Sequence, residues 1–459
     1  MSAADLLVSL GRRLDYYRPL HERLDAYYGG RQPLAMLSPE LAAALGTRVR
    51  PLVLGWPRVV VSALEERLDV EGFRLGSDQP TDDSLWSIWQ DNGLDELSQQ
   101  AHTEALVLGR AYVLVWSGPD GSPRITVESA RQCYVVTDPG SRQRVAAVKR
   151  FTDLQGYGVA FVYEPDRVTR FRTLQPVPLD AWAPGYPAPS ATFDLAAGGW
   201  AVVDVMPNPL GVVPLIPLVS GARLLTPDGE SELAPILPIA DAINSLATDM
   251  LVTSAFYAEP RRWVTGVDLP TDAAGEVVDD ESMSRVAGRT WMLEDPAAKV
   301  GQFSEASLAS FTDAIGMLTR TLAAMGSLPP HYTDAGSSTA NPTSADAIRS
   351  AEASLTQKAR RRQRAFGGAW EEAMRIAVLV RDGVDRPDLA RLETVWRNPE
   401  TPTIAAAADA AAKLAAIGVP LGALLPGLGF TPGEQERIRT LRQSDALDAA
   451  GVNLQAILP

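Results

Sequence analysis

The chain has 459 residues, 46% hydrophobic and 21% charged, with every aromatic type present; this excludes wholesale disorder and leaves room for more than one domain. Acidic residues outnumber basic ones by 56 to 42, a net charge of −14, so nothing in the overall balance asks for tight nonspecific binding to nucleic acid, and any DNA contact must be local or loose. The single cysteine, Cys133, excludes an intrachain disulfide and a CxxC zinc site.

No basic region followed by an apolar core opens the sequence, and no apolar run reaches the roughly 18 to 20 residues of a membrane span. The nearest, residues 405–428, contains Asp409, Lys413, Pro420 and Pro426. The expectation is a chain that folds in the cytosol and has no membrane role.

In chain order, helical spacing of apolar and aromatic residues over 6–28, stopped by Gly29-Gly30, predicts an N-terminal helix. Residues 56–68 combine the β-branched run Val59-Val60-Val61 with Glu65-Glu66-Arg67 and fit a helix or a strand. Asp82-Asp83-Ser84 then opens a helical pattern through Leu85, Trp86, Ile88 and Trp89 to Leu108, broken at Asn92-Gly93, which predicts paired helices. From 110 to 219 the period becomes two, with Gly, Pro and Asp turns: a β-rich section. Residues 176–189, with five prolines, read as an exposed loop.

The character changes at Gly229. Over 231–257, Leu233, Ile236, Ala240, Ile243, Ala247, Met250, Ser254 and Tyr257 alternate at spacings of three and four, a stripe that seeks another helix. Residues 261–303 form a mixed insert with strand-like pieces at 262–264 and 290–293 around Asp279-Asp280-Glu281. A second stripe follows at Leu308, Phe311, Ile315, Leu318, Leu322 and Met325. Packing of the two stripes within one subunit or between subunits is left open by the spacing. After a Pro-, Gly-, Ser- and Thr-rich loop at 327–342, Thr343 and Ser344 offer caps for a third helix running to about 381, long enough to span the molecule. A strand-like piece at 394–396 and helices at 403–417 and 432–442 read as a small helical bundle at the C-terminal end.

Motifs for catalysis are missing. There is no GxxxxGK[ST] or GxGxxG loop, no HExxH and no GxSxG, so no nucleotide motor, zinc hydrolase or serine elbow is written in the chain. His21, His102 and His331 show no ligand spacing; His21 and His102 read as helix-surface residues, and Trp86 and Trp89 as core. No metal, cofactor or enzymatic activity is expected. The sharpest charge feature is Lys358, Arg360, Arg361, Arg362 and Arg364. Five cations in two turns wrap the helix instead of lining one face, which favours solvated or intersubunit ion pairs over DNA contact.

These pieces, in order, resemble the portal proteins of tailed bacteriophages of the long-tailed type. The resemblance is carried by Tyr27-Tyr28-Gly29, the block from Trp86 to the run GRAYVLVW at 109–116, and NPLGVVPLIPL at 208–218. It continues through Ser231-Glu232-Leu233, DAIN at 241–244, TDML at 248–251, NPTSADA at 341–347, QRAF at 363–366 and Trp370. It implies an α+β portal-type fold: a mixed α/β wing at 1–230, stem helix 1 at 231–258, a clip at 259–303 and stem helix 2 at 304–326. A tunnel loop at 327–342, a long wing helix at 343–382 and a C-terminal region with a crown at 383–459 complete it.

The resemblance further implies a ring, usually of twelve subunits, at one capsid vertex of the virion, assembled in the host cytoplasm. Double-stranded DNA passes through it nonspecifically during packaging and ejection. Its implied partners are the packaging ATPase (terminase), major capsid or scaffold protein and head-tail connector proteins. Tunnel-loop residues Pro329, Pro330, His331, Tyr332, Thr333 and Asp334 would then face DNA, and Asp279, Asp280 and Glu281 would meet clip partners. In a ring, Asp241, Asp249, Glu305 and Asp313, together with Glu232, would give the stem helices acidic faces that repel phosphate and let a duplex slide. Two other readings remain: a cytosolic acid/base hydrolase with a carboxylate pair, which would gain nothing from three very long helices, and a non-portal ring oligomer.

Overall fold

A capping box starts the chain: the Ser2 hydroxyl accepts from the Asp5 amide, the Asp5 carboxylate accepts from the Ser2 amide, and helix α1 runs Ala3–Tyr28. Its Leu7, Leu10 and Leu14 lie on one face and pack on an antiparallel sheet through Tyr134, Ala146, Val148, Ala160, Val162, Phe171 and Trp200. That sheet has the order β4-β5-β6-β7-β8, from Cys133–Thr137, Arg144–Thr152, Gly158–Tyr163, Arg167–Thr173 and Trp200–Pro207. The buried Arg150 guanidinium pairs with Asp15 of α1, which locks helix to sheet.

The computed structural model describes residues 2–33, 52–76, 79–176, 199–257, 262–265, 299–302, 308–333, 345–400, 404–425, 428, 430 and 432–449. Met1–Gln32, Gly55–Leu237 and Ala323–Pro459 make one unit; Pro33–Leu54 and Pro238–Leu322 make a second. Most of the proline-rich stretch, the 290–293 piece and the caps Thr343 and Ser344 lie outside the described residues.

Within the first unit, Trp56–Glu65 is helix α2, with Pro57 in the first turn where its missing N–H costs nothing. Strand β1, Val70–Leu75, follows, so the helix-or-strand ambiguity resolves into one of each. The expected helix pair is present as α3 (Asp83–Asp91) and α4 (Leu94–Leu108), joined at Gly93 with φ +64. A second antiparallel sheet, β3-β2-β9, is built from Pro123–Ser129, Arg110–Ser117 and Leu215–Val219. The third long helix is there too: α7, Ala345–Asp382, lies against β2, β3 and β9 and against β12, Leu392–Trp396. Strand β12 pairs antiparallel with β1, a partnership between distant parts of the chain. Helices α8 (Ile404–Ala416), α9 (Leu421–Leu424) and α10 (Pro432–Ala449) follow.

An aromatic knot ties α3, α4 and α7. Trp89 and Trp370 meet edge to face at 4.9 Å, and His102 stacks on Phe366 at 5.2 Å. All four are fully buried. His21 is also buried, stacked on Tyr17. The expectation of surface histidines is therefore wrong, because each sits on the inner face of its helix. Burial drives the His102 pKa from 6.5 to about 3, so the neutral ring accepts from Trp370 Nε1 at 2.9 Å.

Two helices lie mostly in the second unit, α5 (Leu237–Tyr257) from Pro238 on and α6 (Ala309–Gly326) up to Leu322, and α5 carries the first stripe. The helix starts at Leu237 and not at Ser231. Pro235 and Pro238 confine its start, and 231–236 is held in turns by Ser231 Oγ on the Val107 carbonyl and by the Glu232 amide on the Leu106 carbonyl. Ile243 and Ala247 are buried, whereas Ser254 is exposed. Asn244 Oδ1 accepts from the Leu54 amide at 2.8 Å and Thr248 Oγ1 from the Leu52 amide at 3.3 Å, so two polar side chains of α5 hold an incoming segment. In the insert, β10 (Arg262–Thr265) pairs with β11, Lys299–Gln302. Helix α6, Ala309–Gly326, carries the second stripe; Leu322 is buried, Phe311, Ile315 and Leu318 half-buried, and Met325 46% exposed.

At Gly229 (φ +82) a Cβ would come within 2.4 Å of the Gly109 carbonyl oxygen and 2.5 Å of that of Ser220, while at Gly121, with the same φ, it meets open space. Gly229→Ala should lose roughly 3 kcal/mol in denaturant unfolding against roughly 1 for Gly121→Ala; equal losses would count against the close approach. For His102, the unfolded chain binds more protons below pH 6.5, so its contribution to stability is present above 6.5 and is lost as pH falls toward about 3. Its slope approaches about 1.4 kcal/mol per pH unit. His102→Gln should lower Tm at neutral pH yet flatten the decline between there and about pH 5; an unchanged slope would refute the neutral buried ring.

Candidate channel residues and the basic cluster

The basic cluster on α7 divides in two. Glu232 is 6% exposed and receives Lys358 Nζ at 2.7 Å and Arg362 Nε at 2.7 Å, with Ser220 Oγ donating at 3.1 Å. Burial pushes its carboxyl up, and the Lys358 and Arg362 charges more than offset that, so its pKa lies below the usual range. Lys358 also donates to the Gly326 carbonyl, at the C-terminal end of α6, at 3.4 Å. Arg360 pairs with Glu400 at 2.6 Å across a half-exposed surface. Arg361 and Arg364 are exposed, with no carboxylate partner among the described residues. Intrasubunit pairing, an option the spacing alone did not suggest, therefore takes three of the five cations.

The same geometry corrects Glu232. It lies ahead of α5, buried and neutralised, and cannot contribute to an acidic face. Its signal was available only in part: a glutamate flanked by Leu233 and Pro235 departs from the helical pattern, but nothing local names Lys358 and Arg362 as its partners.

The other acidic candidates are placed differently. Asp249 on α5 and Asp313 on α6 are exposed, and Asp241 is half-buried. Helix α5 carries no Lys or Arg, and α6 carries Arg320 alone. Glu305 and the clip candidates Asp279, Asp280 and Glu281 lie outside the described residues, as does Asp334. Of the remaining loop residues, Pro329 is buried, Pro330 and His331 are exposed, and Tyr332 and Thr333 are half-buried. Pro330–Tyr332 forms a 3-10 turn that holds the His331 and Tyr332 rings 4.8 Å apart. His331 Nε2 lies 3.9 Å from Glu352 of α7, a carboxylate that Arg67 approaches at 3.6 Å, so the loop's start runs beside α7.

Removing the charge of Glu232 would leave two cations with their shared partner gone. Glu232→Gln should cost about 3–5 kcal/mol, against about 1 or less for Glu400→Gln at the exposed pair, measured by urea unfolding. Similar small losses for both would show that the buried carboxylate is dispensable.

Residues 12–446 match the family described as phage portal protein, SPP1 Gp6-like. The portal proteins of Mycobacterium phages L5 and D29 are each 34% identical over 420 residues, covering 87% of this chain and 80% of theirs. Among solved structures, a chain from the virion of a native gene transfer agent particle is similar at a TM-score of 0.48 and 15% identity, covering 90% of this chain and 99% of that one. On the family match and the two relatives, the chain belongs to the phage portal proteins of the SPP1 Gp6-like family.

Proposed function

We propose that the chain assembles into a ring of twelve at one vertex of a capsid and forms the channel through which double-stranded DNA enters during packaging and leaves at ejection. The ring also gives the packaging ATPase, the capsid or scaffold protein and the head-tail connectors a platform to dock on. The chain itself supplies no motor in this reading. The observation that carries it beyond family membership is the charge of α5 and α6: Asp249 and Asp313 exposed, and one basic residue, Arg320, on the two helices together. A wall of this kind offers a moving duplex few cations to bind. The half-buried stripe of Phe311, Ile315 and Leu318 fits completion by a neighbouring subunit.

Asp249 and Asp313 are exposed, so replacing them leaves the core intact. Mass photometry of the wild type should find a species of twelve 49.2 kDa chains. In fluorescence anisotropy with a short duplex, Asp249→Lys with Asp313→Lys should bind more tightly than wild type. The slope of log K against log salt should steepen by about 0.9 for each phosphate neutralised. DNA affinity and slope identical to wild type would remove these helices from the channel wall, whereas a different subunit count would revise the ring alone.

A further inference from the structure

The turn just before α5 exposes two leucines. Arg223 and Thr226 exchange backbone hydrogen bonds at 3.2 and 3.1 Å, closing a tight two-residue tip. At that tip Leu224 is 82% exposed and Leu225 96%, the two most exposed large apolar side chains among the described residues. The tip stands on a rigid base. Asp228 receives Arg110 Nη1 at 2.9 Å and the hydroxyls of Tyr17 at 2.8 Å and Tyr134 at 3.3 Å, and the Glu230 amide donates to the Ser220 carbonyl at 2.8 Å. The backbone at the base is already ordered, so the entropy lost on docking is mainly the rotamer freedom of the two leucines.

A second apolar patch lies on the same unit. Strand β8 is the outer strand of its sheet, hydrogen-bonded only to β7 among the described residues. Its Val202, Val203 and Val205 are 55%, 52% and 56% exposed. Arg170 faces Asp204 and Phe171 faces Val202 across the ladder, so Val203 is the extra residue of a bulge, pushed out of register. Exposed apolar edges of this kind are places where another chain attaches. The two patches do not cover each other within one chain, since both remain exposed. They also carry opposite charges: Arg223 beside the leucines has no carboxylate partner among the described residues, and the exposed Asp204 between the valines accepts from the Val205 amide at 2.8 Å.

We propose that the Leu224-Leu225 tip of one copy seats on the Val202, Val203 and Val205 edge of the next copy, with Arg223 meeting Asp204. The contact joins two different patches and is therefore head-to-tail, the type that closes into a ring when the rotation permits. The inference rests on the ring proposed above and names the surfaces that build it.

The test uses the full chain carrying Val203→Cys and Leu225→Cys, treated with a short bis-maleimide. The native Cys133 is fully buried and gives little background. Denaturing electrophoresis should show a ladder in steps of 49.2 kDa, absent from each single variant. In parallel, Arg223→Asp or Asp204→Arg alone should weaken each contact by up to about fivefold, the value of a rim charge pair, and so lower the ring fraction. The two together should restore it. Wild-type rings with no ladder from the double variant would overturn this contact and leave the ring standing. Dimers from Leu225→Cys alone would overturn it in favour of tip-to-tip pairing. A wild type that stays monomeric, with no ladder, would count against both the ring and the contact.

Discussion

The Glu232 carboxylate is the interaction on which the first unit depends. It is buried where the chain is about to leave that unit, and its charge is acceptable there only because Lys358 and Arg362 both reach it from α7. Lys358 extends the same constraint to Gly326, just after the chain has returned. Departure and return are thus held on neighbouring turns of one long helix. A buried, fully paired network of this kind specifies a single arrangement, since any slip of α7 by one turn would strand a carboxylate or two cations without a partner.

The backbone around this network is equally constrained. Gly109 ends α4 and Gly229 leads toward Glu232, both in the left-handed region, and the Ser220 amide donates to the Gly109 carbonyl at 2.9 Å. Absence of a side chain at Gly229 lets three strands of backbone approach. Asp228, one residue earlier, is gripped by Arg110, whose guanidinium also lies 4.2 Å from the centre of the Tyr17 ring. From Ser220 to Glu232, therefore, hydrogen bonds and ion pairs fix the chain, and the buried Leu233, Ile236 and Leu237 take over from there. The exposed leucines at its tip are held by polar groups that they do not themselves touch.

How legible the fold and the site were differs by element. The long helix, the helix pair at Asn92-Gly93 and the β-rich section were readable because their signals are local: apolar periodicity, caps and turn residues. The strand Lys299–Gln302 was missed because four residues containing a lysine and a glycine carry no strand pattern of their own; pairing with Arg262–Thr265 makes them one. His102 was misread because its helix is apolar on several sides, and only the arrival of Phe366 and Trp370 from α7 buries it. The acidic character of α5 and α6 was plain in composition, yet the withdrawal of Glu232 from it needed partners more than a hundred residues away.

Sequence alone determined the kind and order of most elements, the scarcity of cations on the helices carrying the stripes and the family, because these follow from near-neighbour spacing and from residue identities in series. Tertiary structure decided which charges are spent inside the subunit and which apolar groups are left outside it. Lys358 and Arg362 look like Arg361 and Arg364 in the sequence, and nothing in it singles out Leu224 and Leu225. Burial and pairing are properties of where distant segments meet, and in this chain they depend on contacts of α7 and of the Ser220–Leu237 segment that no local pattern encodes.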